Sequence, residues 1–200
     1  MAQIPELMSG RALEHGIAMM VDHGGPDGAK MYVGGQAHAD VAAGTVHTNS
    51  LDETALSSYT IPANTLVAGS TIRVRAAGLV VSRDAGTLTA QLKLDTSATA
   101  IGAAESIANT TAITVATDDI YDFDTLIQVR TAGSTGTAVA ISDYTLNAFS
   151  DASIRSLKAS FTLDTTAANV LQLTADWSNA TVNNQVRSDI FVVDIVNPQT

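Results

Sequence analysis

The chain has 200 residues, 46% of them hydrophobic, 15% charged and none of them cysteine. Lys plus Arg is 10 against 20 for Asp plus Glu, a formal net charge of -10, which opposes nucleic-acid binding because phosphate neutralisation needs cations. The missing Cys excludes disulfide frameworks, thiolate zinc sites, Cys nucleophiles and iron–sulfur clusters. A domain of this size buries roughly 70% of its unfolded surface and needs no such staple.

Composition divides the chain near residue 47. All four histidines (His15, His23, His38, His47) and all five methionines precede residue 48, and Thr, Ala, Val, Leu and Ser dominate afterwards. The division predicts an N-terminal arm over 1–47 and a β domain over 48–200. Within the arm, Leu13, Ile17, Met20 and Val21 fit a short helical stripe that Gly10 and Gly16 weaken. Residues 21–28 are loop-forming by composition, and Tyr32, Val33 and the stretch 37–46 suit an extended chain. Such a segment needs another surface to order it; a leader without fixed structure is the alternative. The start of the chain has no cationic stretch followed by an apolar run, and no segment approaches the 18 apolar residues of a membrane helix. The expectation is synthesis in the cytoplasm, with no membrane partner.

The second region alternates with period 2 in run after run, the pattern of half-buried strands. Ile72, Val74 and Ala76 share one face, with Arg73 and Arg75 opposite. Leu88, Ala90, Leu92 and Leu94 share another, and Tyr121, Phe123, Thr125, Ile127 and Val129 a third. Next come Leu157, Ala159, Phe161 and Leu163, then Leu171, Leu173, Ala175 and Trp177, and finally Phe191, Val193 and Ile195. Clusters rich in Gly, Ser, Asp and Asn at 68–70, 83–86, 133–136 and 178–180 mark turns between the runs. Strands of about eight to ten residues with short polar turns, and no long helical stretch between them, predict an all-β antiparallel sandwich or barrel.

Catalytic and metal signatures are weak. Asp118, Asp119, Asp122 and Asp124 are closely spaced oxygens of the kind calcium uses, but they lack the glycine and terminal glutamate of an EF-hand loop. Asp122 and Asp124 also fall on the face opposite Tyr121 and Phe123, where solvent is expected. The histidine separations match no zinc pattern, although Asp22 and Asp27 flank His23 in a glycine-rich loop. There is no GxSxG elbow and no histidine after residue 47 to act as a base. An acidic chain always leaves paired carboxylates open, and with them glycoside hydrolysis. Trp177, closing an alternating face, is expected in the core, whereas Tyr32, Tyr59 and Tyr144 are the aromatics least committed to it.

Several phrases occur in a familiar order: Ser58-Tyr59-Thr60-Ile61-Pro62-Ala63-Asn64-Thr65-Leu66, then Ile72-Arg73-Val74-Arg75-Ala76-Ala77-Gly78. Later come Leu126-Ile127-Gln128-Val129-Arg130-Thr131, Leu163-Asp164-Thr165-Thr166-Ala167-Ala168-Asn169, Leu173-Thr174-Ala175-Asp176-Trp177-Ser178 and Asn184-Gln185-Val186-Arg187. This set, spanning about residues 48 to 196, resembles small tailed-phage virion proteins with a β-sandwich module, as in capsid decoration proteins and head or tail fibres. None of the phrases is a catalytic signature. The resemblance implies a jelly-roll-like sandwich with an extended N-terminal arm, and a capsid decoration (cement) protein made in the host bacterial cytoplasm and carried on the virion surface. Its partners would be the major capsid protein and itself, as a homotrimer. No enzyme activity, cofactor, metal or nucleic acid is expected. Leu13, Ile17, Met20 and Tyr32 are the candidate capsid or subunit contacts of the arm. The alternative is a head or tail fibre module that binds a host receptor or glycan.

Overall fold

The computed structural model describes residues 18–20, 32–84, 86–96, 101, 105–110, 112–114, 119–146 and 154–198. These form fourteen strands and no helix. They are β1 (Ala18–Met20), β2 (Tyr32–Ala39), β3 (His47–Thr48), β4 (Thr54–Ile61), β5 (Thr71–Ser82), β6 (Thr87–Asp95) and β7 (Glu105–Asn109). They continue as β8 (Ile113–Thr114), β9 (Asp119–Thr131), β10 (Thr137–Leu146), β11 (Ile154–Thr162), β12 (Asn169–Trp177), β13 (Asn184–Val186) and β14 (Ile190–Pro198).

All pairings are antiparallel, in two sheets. The larger sheet runs β1-β2-β14-β5-β9-β10-β11, with β3 and β13 continuing it beside β5; the smaller runs β4-β12-β6-β7, with β8 on β6. Numbering β2, β4, β5, β6, β7, β9, β12 and β14 as first to eighth turns these orders into 1-8-3-6 and 2-7-4-5. Each strand of one sheet is followed by a partner in the other until the chain turns back, the arrangement of a double-sheet jelly roll. The hairpin β10–β11 lies outside this set of eight and extends the larger sheet past β9.

The core lies where the two inner faces meet. Ile72, Val74 and Ala76 of β5, Tyr121, Phe123 and Ile127 of β9, and Phe191 and Val193 of β14 are buried on one side. Leu88, Ala90 and Leu92 of β6 and Leu171, Leu173, Ala175 and Trp177 of β12 are buried on the other. These are the faces that alternation predicts, and Trp177 fills core volume as expected. Thr125 is buried on the same face, its hydroxyl donating to Ser142 Oγ at 2.9 Å, so the polar group inside the sheet is satisfied.

Three predictions fail. The helical stripe expected to include Met20 is instead a strand at Ala18–Met20, held by pairing with β2. Leu157 and Ala159 were expected to share a buried face with Phe161 and Leu163, yet Leu157 is 71% exposed and Ala159 is exposed, while Phe161 and Leu163 are buried. The cause is a β-bulge: Ala138 pairs with Phe161 but Ala140 pairs with Lys158, so β11 carries one more residue than β10 between those pairs. One extra residue reverses the parity of every side chain before it. Tyr144 was expected to be uncommitted to the core, but it is 6% exposed and stacks on Phe123 with ring centroids 5.5 Å apart.

A second bulge shapes the opposite side. Val186 lies opposite Val80 and Ile190 opposite Ala77, so four steps of chain face three. The Arg187 carbonyl is thereby pushed over Gly78 and accepts a hydrogen bond from Tyr121 Oη at 3.0 Å.

Candidate functional site

The outer face of the larger sheet carries the arginines and aspartates that alternation places away from the core. Arg73 Nε and Nη2 donate to Asp124 at 3.1 and 2.6 Å, and Arg75 Nη2 to Asp122 at 3.5 Å. Arg155 donates to Asp143 through Nε at 2.6 Å and Nη2 at 2.9 Å. The register places Arg155, Asp143, Asp124 and Arg75 in one row across β11, β10, β9 and β5. Cations on the outer strands therefore bracket anions on the inner two. The next row on the same face holds Leu157, Ile141 and Leu126, exposed by 71%, 40% and 44%. A shallow depression beside these rows is lined by Arg75, Asp122, Asp124, Asp143, Tyr144 and Thr145.

Of the four clustered aspartates, Asp122 and Asp124 are thus bound to arginines. Asp119 points inward at 2% exposure, with Oδ1 accepting from the Ile120 amide at 2.8 Å and Oδ2 unpartnered. Asp118 lies outside the described residues. Among the described residues no three His, Cys, Asp or Glu side chains are gathered as metal ligands.

Two polar clusters were not legible in the sequence. In the first, Asp40 accepts from His38 Nε2 at 2.9 Å through one carboxylate oxygen and from Ser57 Oγ at 2.6 Å through the other. His38 also stacks on Tyr59 at 5.1 Å and meets the Phe191 ring edge-on. These three residue types are those of a serine hydrolase, but here the carboxylate stands between serine and imidazole. The imidazole then cannot take the serine proton directly, which a nucleophilic triad requires. Ser57 is also buried. The cluster ties β2 of one sheet to β4 of the other.

In the second cluster, Glu53 accepts from Lys93 Nζ at 2.7 Å and from Thr174 Oγ1 at 2.6 Å. Lys93 is 5% exposed and Thr174 fully buried. Asp176 stands close enough to feel both Glu53 and Lys93, and burial, reinforced by the Glu53 charge, holds its carboxyl above the usual range. His47 is buried with Nε2 unpartnered; burial pushes its pKa below 6.5 against the opposing pull of Asp176 and Asp52.

The two shifts have opposite consequences. A depressed His47 binds fewer protons folded than unfolded, so its contribution to stability is complete above pH 6.5 and lost as pH falls toward the lowered value. A raised Asp176 binds more protons folded, so acidification through its raised value stabilises. Asp84, Asp143 and Asp164 are depressed by hydrogen bonds, and their contributions fade only as pH falls below 3.8. His47→Gln is therefore expected to flatten the melting temperature between about pH 7.5 and about 5.5, where the wild type declines. Parallel profiles for the two proteins would contradict the assignment.

Of the arm residues, Leu13 and Ile17 lie outside the described residues, as do His15 and His23. Met20 and Tyr32 are opposite each other in the β1–β2 pairing. β2 itself pairs with β14, and β3 with β13, so residues 32–39 and 47–48 belong to the larger sheet.

No family model matches this sequence, and no curated protein matches it. Among solved structures, it is similar to a chain in a structure of the infectious bursal disease virus Gx strain, at 12% identity and a TM-score of 0.31. The match covers 90% of this chain and 47% of that one, so this chain spans about half that relative's length. A similarity this low carries no functional inference.

Proposed function

We propose that this chain is a virion structural protein, a capsid decoration (cement) protein that holds the assembled phage head through its N-terminal segment. The observation that carries the reading is the strand order, 1-8-3-6 over 2-7-4-5. That jelly-roll architecture serves viral capsid modules as well as lectins and cupins. Fold analogy alone does not assign function. Here it joins the resemblance of the ordered phrases to tailed-phage virion proteins, in a chain whose described polar clusters bridge strands rather than converge on a reactive centre. The partners are the major capsid protein and further copies of this chain, with three-fold association implied by the resemblance, and the site of action is the capsid surface.

An arm suits this work because an extended segment makes much contact per residue with the surface it lies on. Several arms in one assembly combine weak grips at high effective concentration. The test must spare the sandwich, since cutting at residue 47 would remove β2 and expose β14. The informative variant is Leu13→Asp/Ile17→Asp/Met20→Asp, compared with full-length protein for rebinding to capsids stripped of it. The expected result is loss of capsid occupancy with an unchanged melting temperature; full occupancy by the variant would sink the arm as the clamp. If the wild type binds intact host cells and not the shell, the fibre-module reading replaces this one. The scarcity of exposed aromatics among the described residues weighs against the fibre-module reading, because Trp177 and Tyr144 are buried and Tyr59 is packed against the core.

A further inference from the structure

We infer that the end of the sandwich built by the turns at 62–70, 132–136 and 163–168 is the face set against the capsid, with the opposite end pointing away from the shell. The inference rests on the capsid reading and adds to it the orientation in which the molecule sits. The first observation is where the N-terminal segment joins the sandwich. Met20 lies opposite Tyr32, and Tyr32 lies opposite Pro198 at the end of β14. The chain over 21–31 therefore leaves and re-enters at this end. Ala18 is opposite Gly34, two residues further in, so the segment carrying Leu13 and Ile17 starts within about 7 Å of the same end. Beside it, Asn197 Nδ2 donates to the Thr65 carbonyl at 2.9 Å and ties β14 to the 62–70 turn.

The second observation is the chemistry of the three turns. Asp164 is the only charged residue in them, and its Oδ1 is taken up by the amide and hydroxyl of Thr166. Their exposed side chains are small or apolar, among them Ala63, Val67, Ser134 and Ala168. Depletion of charge marks the centre of a protein–protein interface, whereas a turn that meets only water gains solubility from charge. The opposite end carries such charge. Arg83 and Asp84 lead out of β5, and the Asp84 carboxylate accepts from Thr181 Oγ1 and Asn183 Nδ2 in the connection before β13.

The third observation is that the turns are bonded to one another. The Asn64 amide donates to Thr165 O at 2.9 Å, and the Thr165 amide to Gly133 O at 3.1 Å. In return the Gly133 amide donates to Thr165 Oγ1 at 2.9 Å, and the Leu163 amide to Gly136 O at 2.8 Å. Asn64, Gly69 and Gly133 hold positive φ within these turns. A surface fixed in this way loses little loop entropy on binding, so contacts through small side chains and main chain suffice. Such contacts add to the grip of the arm at high effective concentration, because both start from the same end.

Because the chain has no cysteine, single thiols report which end is covered. Ala63→Cys and Ala168→Cys mark the inferred face and Ala180→Cys the opposite end, and all three positions are exposed. Each variant is rebound to stripped capsids and treated with a maleimide. The first two thiols should react at least about tenfold more slowly on the capsid than in the free protein, because the core of an interface excludes water. The Ala180→Cys thiol should keep its free rate. Ala63→Glu/Ala168→Glu should raise the dissociation constant at least about tenfold at an unchanged melting temperature, since an uncompensated charge is desolvated on binding. Unaltered reactivity of the first two thiols on occupied capsids, protection of Ala180→Cys, or unchanged affinity of the Glu variant would each overturn the orientation and leave the capsid reading in place. Failure of the wild type to occupy capsids would instead overturn that reading, and the orientation with it.

Discussion

Glu53→Ala is expected to destabilise the fold by about 3 kcal/mol, read as a shift of the urea midpoint at constant slope. Lys93 is 5% exposed, and Glu53 is the carboxylate its ammonium contacts, at 2.7 Å. Breaking a buried pair by removing one partner typically costs about 3–5 kcal/mol because the remaining charge is left uncompensated. The lower end applies here, since Asp176 is near enough to interact with Lys93 and is freed from Glu53 repulsion when the latter is removed. The same substitution strands the Thr174 hydroxyl, which donates to Glu53 at 2.6 Å and is fully buried. The double variant Glu53→Leu/Lys93→Met should recover most of the loss, because an apolar pair of similar volume avoids desolvating two charges. A single-variant cost under about 1 kcal/mol would mean that the pair is effectively solvated.

The second large effect is expected at Gly78. A Cβ there would collide with the Arg187 carbonyl oxygen and lie 2.7 Å from Tyr121 Oη. The nearest obstacle is backbone, so no rotamer change relieves it, and Gly78→Ala should cost about 3 kcal/mol or more. Tyr121→Phe supplies the scale, since it removes the hydroxyl with its hydrogen bond to Arg187 O at 3.0 Å and leaves the ring in place, and should cost about 1 kcal/mol. Equal melting temperatures for the two variants would mean that the bulge over Gly78 relaxes around the added methyl group. Both positions join β5 and β9 to the β13–β14 crossing, so the loss should appear as global unfolding rather than local fraying.

Much of the fold was legible because a strand with one buried face writes period 2 into the sequence. The alternations at 72–76, 88–94, 121–129 and 171–177 each became a buried face in the structure. Gly69 and Gly133, in predicted turns, adopt positive φ of 88° and 115°. Alternation reports which side a residue faces only while the register is unbroken. At β11 the bulge lies at Ala159 and Ser160, residues with no turn signature, and the apparent four-residue face was split. Tyr144 was misjudged for a related reason: its partner for burial, Phe123, lies on the neighbouring strand.

The polar clusters were invisible for want of sequence proximity. Glu53, Lys93 and Thr174 lie on three separate segments, and Ser57 is 17 residues from Asp40. By itself, the sequence determined the exclusion of thiolate chemistry within these 200 residues, the all-β class, and most of the side chains that face the core. Those properties follow from composition and local period. Only the tertiary structure decided the jelly-roll order, the bulges in β11 and before β14, the internal Lys93–Glu53 pair and the apolar row that ends on β11. Each depends on which strands lie side by side, and long-range pairing leaves no local periodicity to read.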